Sequence, residues 1–548
     1  MKLRKELVEP LFDEAESFNA CLNSHGLYNS FQFVLRLSPE VHRKIKAFHN
    51  QGVKTIDGTS FENFQAYSTY LHETIHWWQH IGSTFGFIQS LIYPTQTYMN
   101  LSHAKDFISQ IGKFKSIICW LEKKSSTAPV EHQQIANIIT NNYFDTEFFR
   151  LMMHSPSFVN KVINTPFFES QGHSAFITYG NVINLLERSI DIERDQSVFP
   201  KYDSWSDYFK ELRDEKVDGY FYNGKVFVPK IGALHILEGQ ARFSQMQFLS
   251  SVLLHEVSFD FFKNEGMLFG QYIEAFNFFL EKIKKSYPEK LNDPIVSLFL
   301  LVCDLSLNPG EGFPLELRID RNFIKSIDPG IRFLSFTDLI SKNVDEYLKY
   351  LNNLDRREYF TLGNLLCEKC GFYTPSVVMR KILDWKESCP NIREVLRESE
   401  NFEYQPLNLP IRILLSHFIK FTEDKFKFPE FFCWPGIHKV GESVKPEYMD
   451  VFNRNLALFV DHPVKHGIYT GFKSEVNKET EKRIIESFYQ NNVAYNLFRH
   501  WITSKDDFEY EYTWLTHDAT LEEYIDFCDR TFKGLVGINF RDLKKVCS

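Results

Sequence analysis

Apolar positions recur at helical spacing before residue 81. Phe64, Tyr67, Leu71, Ile75 and Trp78 stand three or four apart, with no proline or glycine as far as His80. Thr59-Ser60-Phe61-Glu62 has the form of a capping box and Gly82 a stop signal, so a helix over about 60–81 is expected. Upstream, Phe31-Gln32-Phe33-Val34-Leu35-Arg36-Leu37 is rich in aromatic and β-branched residues and reads as a strand. Ser38-Pro39-Glu40 carries helix-start chemistry, and residues 1–25 are polar, opening on a short helix.

From 87 to 200 the pattern is helical, with breaks at Pro94, Pro129, Pro156, Pro166 and Pro200. Gly219 to Pro229 predicts a hairpin, since Asn223-Gly224 is the preferred type I′ turn pair between two β-prone runs. It leads into Ile231-Gly232-Ala233-Leu234-His235-Ile236-Leu237-Glu238, the start of a helix continuing to about Leu254. Helices follow over 260–306 and from 335 onward, separated by the loop Asn308-Pro309-Gly310-Glu311-Gly312. No internal repeat interrupts this order. The expected fold is mostly α with a small β component (α+β). One unit covers 1–260, with a helical insertion over about 87–218 and the hairpin and helix over about 219–254. A helical region over 261–548 supports a cleft or binds partners.

Composition adds three constraints. Phenylalanine makes up 54 of 548 residues, about a tenth, which predicts cores built on aromatic packing. The net charge of −9 argues against a nucleic-acid partner held through phosphates. Nine cysteines scattered through the chain do not form a disulfide framework. The N-terminal residues lack the apolar core of a secretory signal, and the longest apolar run, near Ile295 to Leu307, is broken by Asp304. A reduced, cytoplasmic protein with no membrane partner is expected.

The chemistry is concentrated in Leu71-His72-Glu73-Thr74-Ile75-His76-Trp77-Trp78. On a helix, His72 and His76 lie on one face one turn apart, where both imidazoles reach one ion. Glu73 stands beside that ion, placed to take a proton from a bound water whose pKa zinc lowers. This is the H-E-x-x-H arrangement of metal-assisted hydrolysis. Trp77 and Trp78 read as packing beneath it.

A catalytic zinc needs a third protein ligand. His80 is about 12 Å along the helix axis from His72, too far for a shared ion. The H-E-x-x-H-x-x-G-x-x-H route fails, because Gln79 stands at the glycine position and Gly82 at the last histidine. Glu238 is the better candidate: a lone carboxylate in an apolar helical stretch requires a partner, and Gly239 and Ala241 permit close helix packing. Glu187 and Glu193 are weaker alternatives in more charged surroundings.

His72-Glu73-x-x-His76 with a later Glu238-Gly239-x-Ala241 resembles the gluzincin class of zinc metallopeptidases. The resemblance implies a zincin-like core in which His72, His76 and Glu238 hold Zn2+ and Glu73 is the general base. It also implies an oxyanion-stabilising side chain, for which His235 and Arg242, one turn either side of Glu238, are the candidates. Two departures stand out. The gap of 162 residues between His76 and Glu238 implies a long insertion, and the E-x-x-x-D extension of some gluzincins is absent, with Arg242 at that place. The implied activity is hydrolysis of peptide bonds in an intracellular protein or peptide substrate. The alternatives are a non-haem iron oxygenase using the same two-His-one-carboxylate set, and an interaction protein whose zinc is structural. A di-iron site would need a second E-x-x-H, which the sequence lacks.

Two lesser motifs complete the reading. Cys367-Glu368-Lys369-Cys370 is half of a zinc-ribbon pattern and reads as two ordinary thiols. His462-Pro463-Val464-Lys465-His466 repeats the histidine spacing but, with Pro463 inside it, reads as a loop.

Overall fold

The computed structural model describes residues 26–38, 41–45, 61–153, 156–253, 257–318, 320–440, 443–461, 468–470, 476–510 and 520–546. The predicted Thr59 cap, the opening helix within 1–25, Pro39-Glu40 and the 462–466 motif lie outside these. Helices dominate, with a small β component, as the hydrophobic pattern predicts.

The expected strand over Phe31 to Leu37 is shortened to its last four residues, and another strand precedes it. β1 (Gly26–Asn29) and β2 (Val34–Leu37) pair antiparallel, with Tyr28 opposite Leu35. Phe31 to Phe33 form the turn between them, and Phe33 adopts a left-handed φ of 58°. Their aromatic side chains suggested a strand, yet those rings face other partners: Phe31 packs on Tyr93 at 4.6 Å and Phe33 on Phe488 at 5.4 Å. β3 (Phe114–Lys115) belongs to a separate two-stranded sheet with β6 (Lys544–Lys545). β4 (Phe459–Asp461) pairs parallel to β2, and β5 (Ile468–Thr470) antiparallel to β4. The four-stranded order β1-β2-β4-β5 therefore leaves β1 at an edge.

That edge lies against helix α1 (Phe61–Gly82), which matches the predicted 60–81 helix closely. Phe64, Tyr67, Leu71, Ile75 and Trp78 are all buried, and almost every residue after Tyr67 is buried too. α1 is a central helix covered on all sides rather than an amphipathic one. Trp77 packs edge-on against Tyr28 and His417, and Trp78 donates its indole N–H to Asn455 O at 2.8 Å, both as packing residues.

α2 (Thr84–Met99) follows after a single linking residue, Ser83, whose Oγ caps it. Gly86 is required there, since a Cβ would stand 2.0 Å from Gln79 O. Pro94, expected as a break, lies inside α2. The helix is buried over Thr84 to Thr97, and packing from all sides offsets the roughly 3 kcal/mol an internal proline costs. α3 (Val130–Leu151) and α4 (Gln171–Ser189) form the bulk of the insertion.

The predicted hairpin over 219–229 is not one. Its turn exists, with Gly224 N bonded to Phe221 O and Asn223 at φ 59°, but neither arm is a strand. The arms bond instead to the start of α4: Gly172 N to Gly219 O at 2.7 Å, and the Gln171 amide to both Phe227 N and Phe227 O. Backbone groups that would have paired across a hairpin find partners there.

The chain then enters α5 (Ala233–Val252), in place of the predicted helix to about 254. α5 packs on α1 more extensively than any other described pair of elements. Its remaining sides are covered by α6 (Pro294–Ser306), where Phe299 would meet a Cβ at Gly239 at 3.3 Å, and by Pro435–His438. α7 (Leu409–Lys427) closes over the end of α1, with Phe421 against Gly82. The main core thus draws residues from Tyr28 to Phe488, on both sides of position 260. A second core joins Ala104 to Tyr143 with α8 (Lys478–Thr503) and α9 (Leu521–Val536).

The expectation of a wholly reduced chain is corrected at one position. Cys119 is disulfide-bonded, whereas Cys303, Cys367, Cys370, Cys389, Cys433 and Cys528 are free. Sequence spacing carries no information on which thiols approach within bridging distance. No helix among the described residues is long and apolar enough to cross a membrane.

One buried cation has a measurable cost. Lys439 is 7% exposed, its Nζ 3.4 Å from the Phe452 ring centroid and 3.5 Å from Met449 Sδ, with no carboxylate partner among the described residues. Burial lowers its pKa from 10.5 to about 7. The unfolded chain therefore binds the proton more tightly between pH 7 and 10.5, and stability rises with pH across that window. Lys439→Met is expected to raise stability at pH 7 by roughly 2–4 kcal/mol and to flatten that rise. Urea denaturation of both proteins at pH 7 and 9.5 checks it; equal stability at pH 7 refutes it.

Candidate metal centre

α1 and α5 bring three predicted residues together. His72 Nε2 lies 3.1 Å from His76 Nε2, while Glu238 Oε2 lies 3.5 Å from the first and 3.3 Å from the second. Among the described residues this is the one group of three or more His, Cys, Asp or Glu able to share a metal ion. Two imidazoles and a carboxylate form a donor set shared by catalytic zinc and non-haem iron. Zn–N and Zn–O bonds of about 2.0–2.2 Å at the tetrahedral angle separate neighbouring donors by about 3.3–3.5 Å, where the two Glu238 distances fall. An octahedral facial site with the same bonds would hold its donors about 2.9–3.1 Å apart, where the His72–His76 distance falls.

Burial and charge explain the protonation of the cluster. Burial, with the positive neighbours His76 and Arg242, lowers His72 to a pKa of about 3, so its ring is neutral. Burial also opposes charge on His76, but the Glu238 carboxylate outweighs it and raises this ring to about 9. Glu238 is pushed up by burial and pulled further down by the two imidazoles, ending below the ordinary carboxylate range. Without a metal the arrangement is a carboxylate held by one imidazolium; a dication replaces that proton with a stronger charge. His76 and Glu238 keep side-chain exposures of 12% and 17%, so solvent reaches the cluster from their side.

Glu73 is buried beside the ligands. Burial and the nearby Glu238 charge raise its pKa to about 7, against the lowering effects of His76, the Tyr28 backbone N–H and Arg242. β1 holds this carboxylate in place: the Tyr28 N–H donates to it, and Gly26 presses on it without a side chain. A Cβ on Gly26 would stand 2.7 Å from Glu73 Cγ and Oε1 and 2.8 Å from Thr69 Cγ2. Gly26→Ala should therefore displace Glu73 while leaving all three ligands intact. The expected outcome is unchanged zinc content with hydrolysis reduced roughly 10–100-fold, read by metal analysis and peptide turnover. Wild-type turnover in this variant would refute the placement.

Other predicted residues fall elsewhere. His235 caps the start of α5, with Nδ1 accepting from Gly232 N at 3.2 Å and Nε2 meeting Glu274 at 3.0 Å. Both ring nitrogens are engaged away from the ligand triad, which leaves little for the oxyanion role. Arg242 lies closer, its guanidinium 4.1 Å above the Tyr272 ring, which is in turn 6.1 Å from the His72 ring. His80 is buried against Tyr28 and does not join the ligands. Glu187 meets Arg194 at 3.6 Å, and Glu193 is exposed. Cys367 and Cys370 end the helix Arg356–Cys370, where burial first of all pushes their thiols up to about 12 and about 11. They remain thiols at neutral pH, and no third His, Cys, Asp or Glu among the described residues joins them as a metal ligand.

Four contributors were invisible as a motif. Gln79 contacts His76, Gly26 and Tyr28 contact Glu73, and Tyr272 covers His72. Only Gln79 had a local signal, since an amide three residues beyond a histidine lies on the same helix face.

No protein-family model, curated protein or solved structure matches this chain.

Proposed function

We propose that the protein is a zinc-dependent peptidase of gluzincin type, acting on a protein or peptide substrate. One observation supports the reading: side chains 162 residues apart in sequence bring their donor atoms within 3.5 Å of one another, with the motif glutamate buried beside them. His72, His76 and Glu238 would hold the ion. Zinc bound there supplies a coordinated water of near-neutral pKa and polarises the scissile carbonyl. Glu73 accepts the attacking water's proton and returns it to the leaving amine, a shuttle that its fixed contacts with β1 favour. Arg242, stacked on Tyr272 at the His72 side, supplies positive charge near the developing oxyanion.

The test measures zinc content and cleavage of a mixed peptide library by wild type and Glu73→Gln. Zinc in both, with cleavage in wild type alone, supports the reading. A wild type without zinc, or a variant that still cleaves, overturns it.

A further inference from the structure

We infer that Gln79 is a positioning residue: it fixes His76 in the ligand-competent tautomer and locks the two ligand-bearing helices in register around the ion. The inference rests on the metal-centre reading above. Gln79 Nε2 donates to Leu237 O at 2.9 Å and to Gln240 Oε1 at 2.9 Å, both on α5. Its Oε1 faces His76 Nδ1 at 2.8 Å.

The direction of these bonds follows from one atom. Leu237 O is a backbone carbonyl and can only accept, so the Gln79 NH2 group must face it. The amide oxygen is then necessarily the atom presented to His76, and Nδ1 must carry the hydrogen. When the ring gives up its second proton to bind a metal, Nε2 is therefore the nitrogen left with a lone pair, directed towards His72 and Glu238. His72 has no such support: its Nδ1 is buried with no hydrogen-bond partner among the described residues. The orientation of the centre therefore depends on His76, and through it on Gln79. The same amide ties α1 to the residue preceding Glu238, so the third ligand and the second are set by one side chain.

The experiment compares wild type, Gln79→Leu and Gln79→Glu as full-length chains. Zinc affinity is measured by chelator competition, the ligand field by the visible spectrum of the Co2+ form, and thermal stability without metal. Gln79→Leu is expected to bind zinc about 10–100-fold more weakly with an altered Co2+ spectrum. Gln79→Glu keeps an acceptor for Nδ1–H but loses both donor bonds to α5. It should bind zinc more weakly than wild type but more tightly than Gln79→Leu, while its metal-free form melts lower. A purely structural role predicts the reverse, with zinc affinity falling in step with stability in both variants. Gln240→Met, which removes one anchor of the Gln79 amide, should weaken zinc by a smaller factor and serves if either Gln79 variant fails to fold. Wild-type zinc affinity in Gln79→Leu, or in Gln240→Met should it be needed, would refute this role and leave the metal centre standing. Absence of zinc from wild type would remove the centre itself.

Discussion

Glu73→Gln is expected to retain one zinc per chain and to lose peptide cleavage by roughly 10²–10⁴-fold, the range a positioned general base supplies. The substitution is close to isosteric, so the tight approach of Gly26 is kept. It also leaves an acceptor oxygen for the Tyr28 N–H. What it removes is the ability to take a proton. Because Glu73 is buried, its replacement by a neutral amide relieves a desolvation cost, and the variant should be at least as stable as wild type. Unchanged metal, unchanged or higher stability and lost turnover form a combination that a structural zinc site does not produce. If zinc only tied the two helices together, Glu73→Gln would change nothing except stability.

The second large effect concerns the ligands. His76→Ala and Glu238→Ala should each lose zinc by more than the roughly 10–100-fold that an outer-shell partner is worth. Elemental analysis after dialysis against a mild chelator reads this directly. The two substitutions differ in the metal-free protein. His76→Ala leaves Glu238 near a single neutral imidazole, an under-paired buried carboxylate. Glu238→Ala removes the charge altogether and leaves two neutral rings. The former should therefore be the less stable apo protein, by about 1–3 kcal/mol. Zinc retained in Glu238→Ala would remove this residue from the site, and with it the gluzincin reading. Iron in place of zinc would move the chemistry to oxidation.

What could be read from residue order was whatever is local along a helix. The spacing from Phe64 to Trp78 placed α1, and the histidine pair followed from its geometry. Glu238 was legible because an isolated carboxylate in an apolar helix needs a partner, and the structure supplies two imidazoles. The contacts that hold Glu73 were not legible, since Gly26 and Tyr28 are more than forty residues away and join it only through strand placement. Asn223-Gly224 gave a correct turn and a wrong hairpin, because the competing acceptors and donors at Gln171 and Gly172 belong to a distant helix start. Pro94 failed as a break for a related reason: burial, which no local rule reports, holds α2 together through it.

The covering of α5 on every side has a consequence for the order in which the protein is made. Its neighbours include α6, which ends at Ser306, and the short helix Pro435–His438, where a Cβ on Gly436 would meet Ser244 O at 2.2 Å. Until that part of the chain has left the ribosome, α5 has α1 to pack on but lacks the surfaces that bury its other sides. A nascent chain of 260 residues would contain every ligand and yet leave much of the third-ligand helix bare. Synthesis thus supplies the donors well before the shell that encloses them.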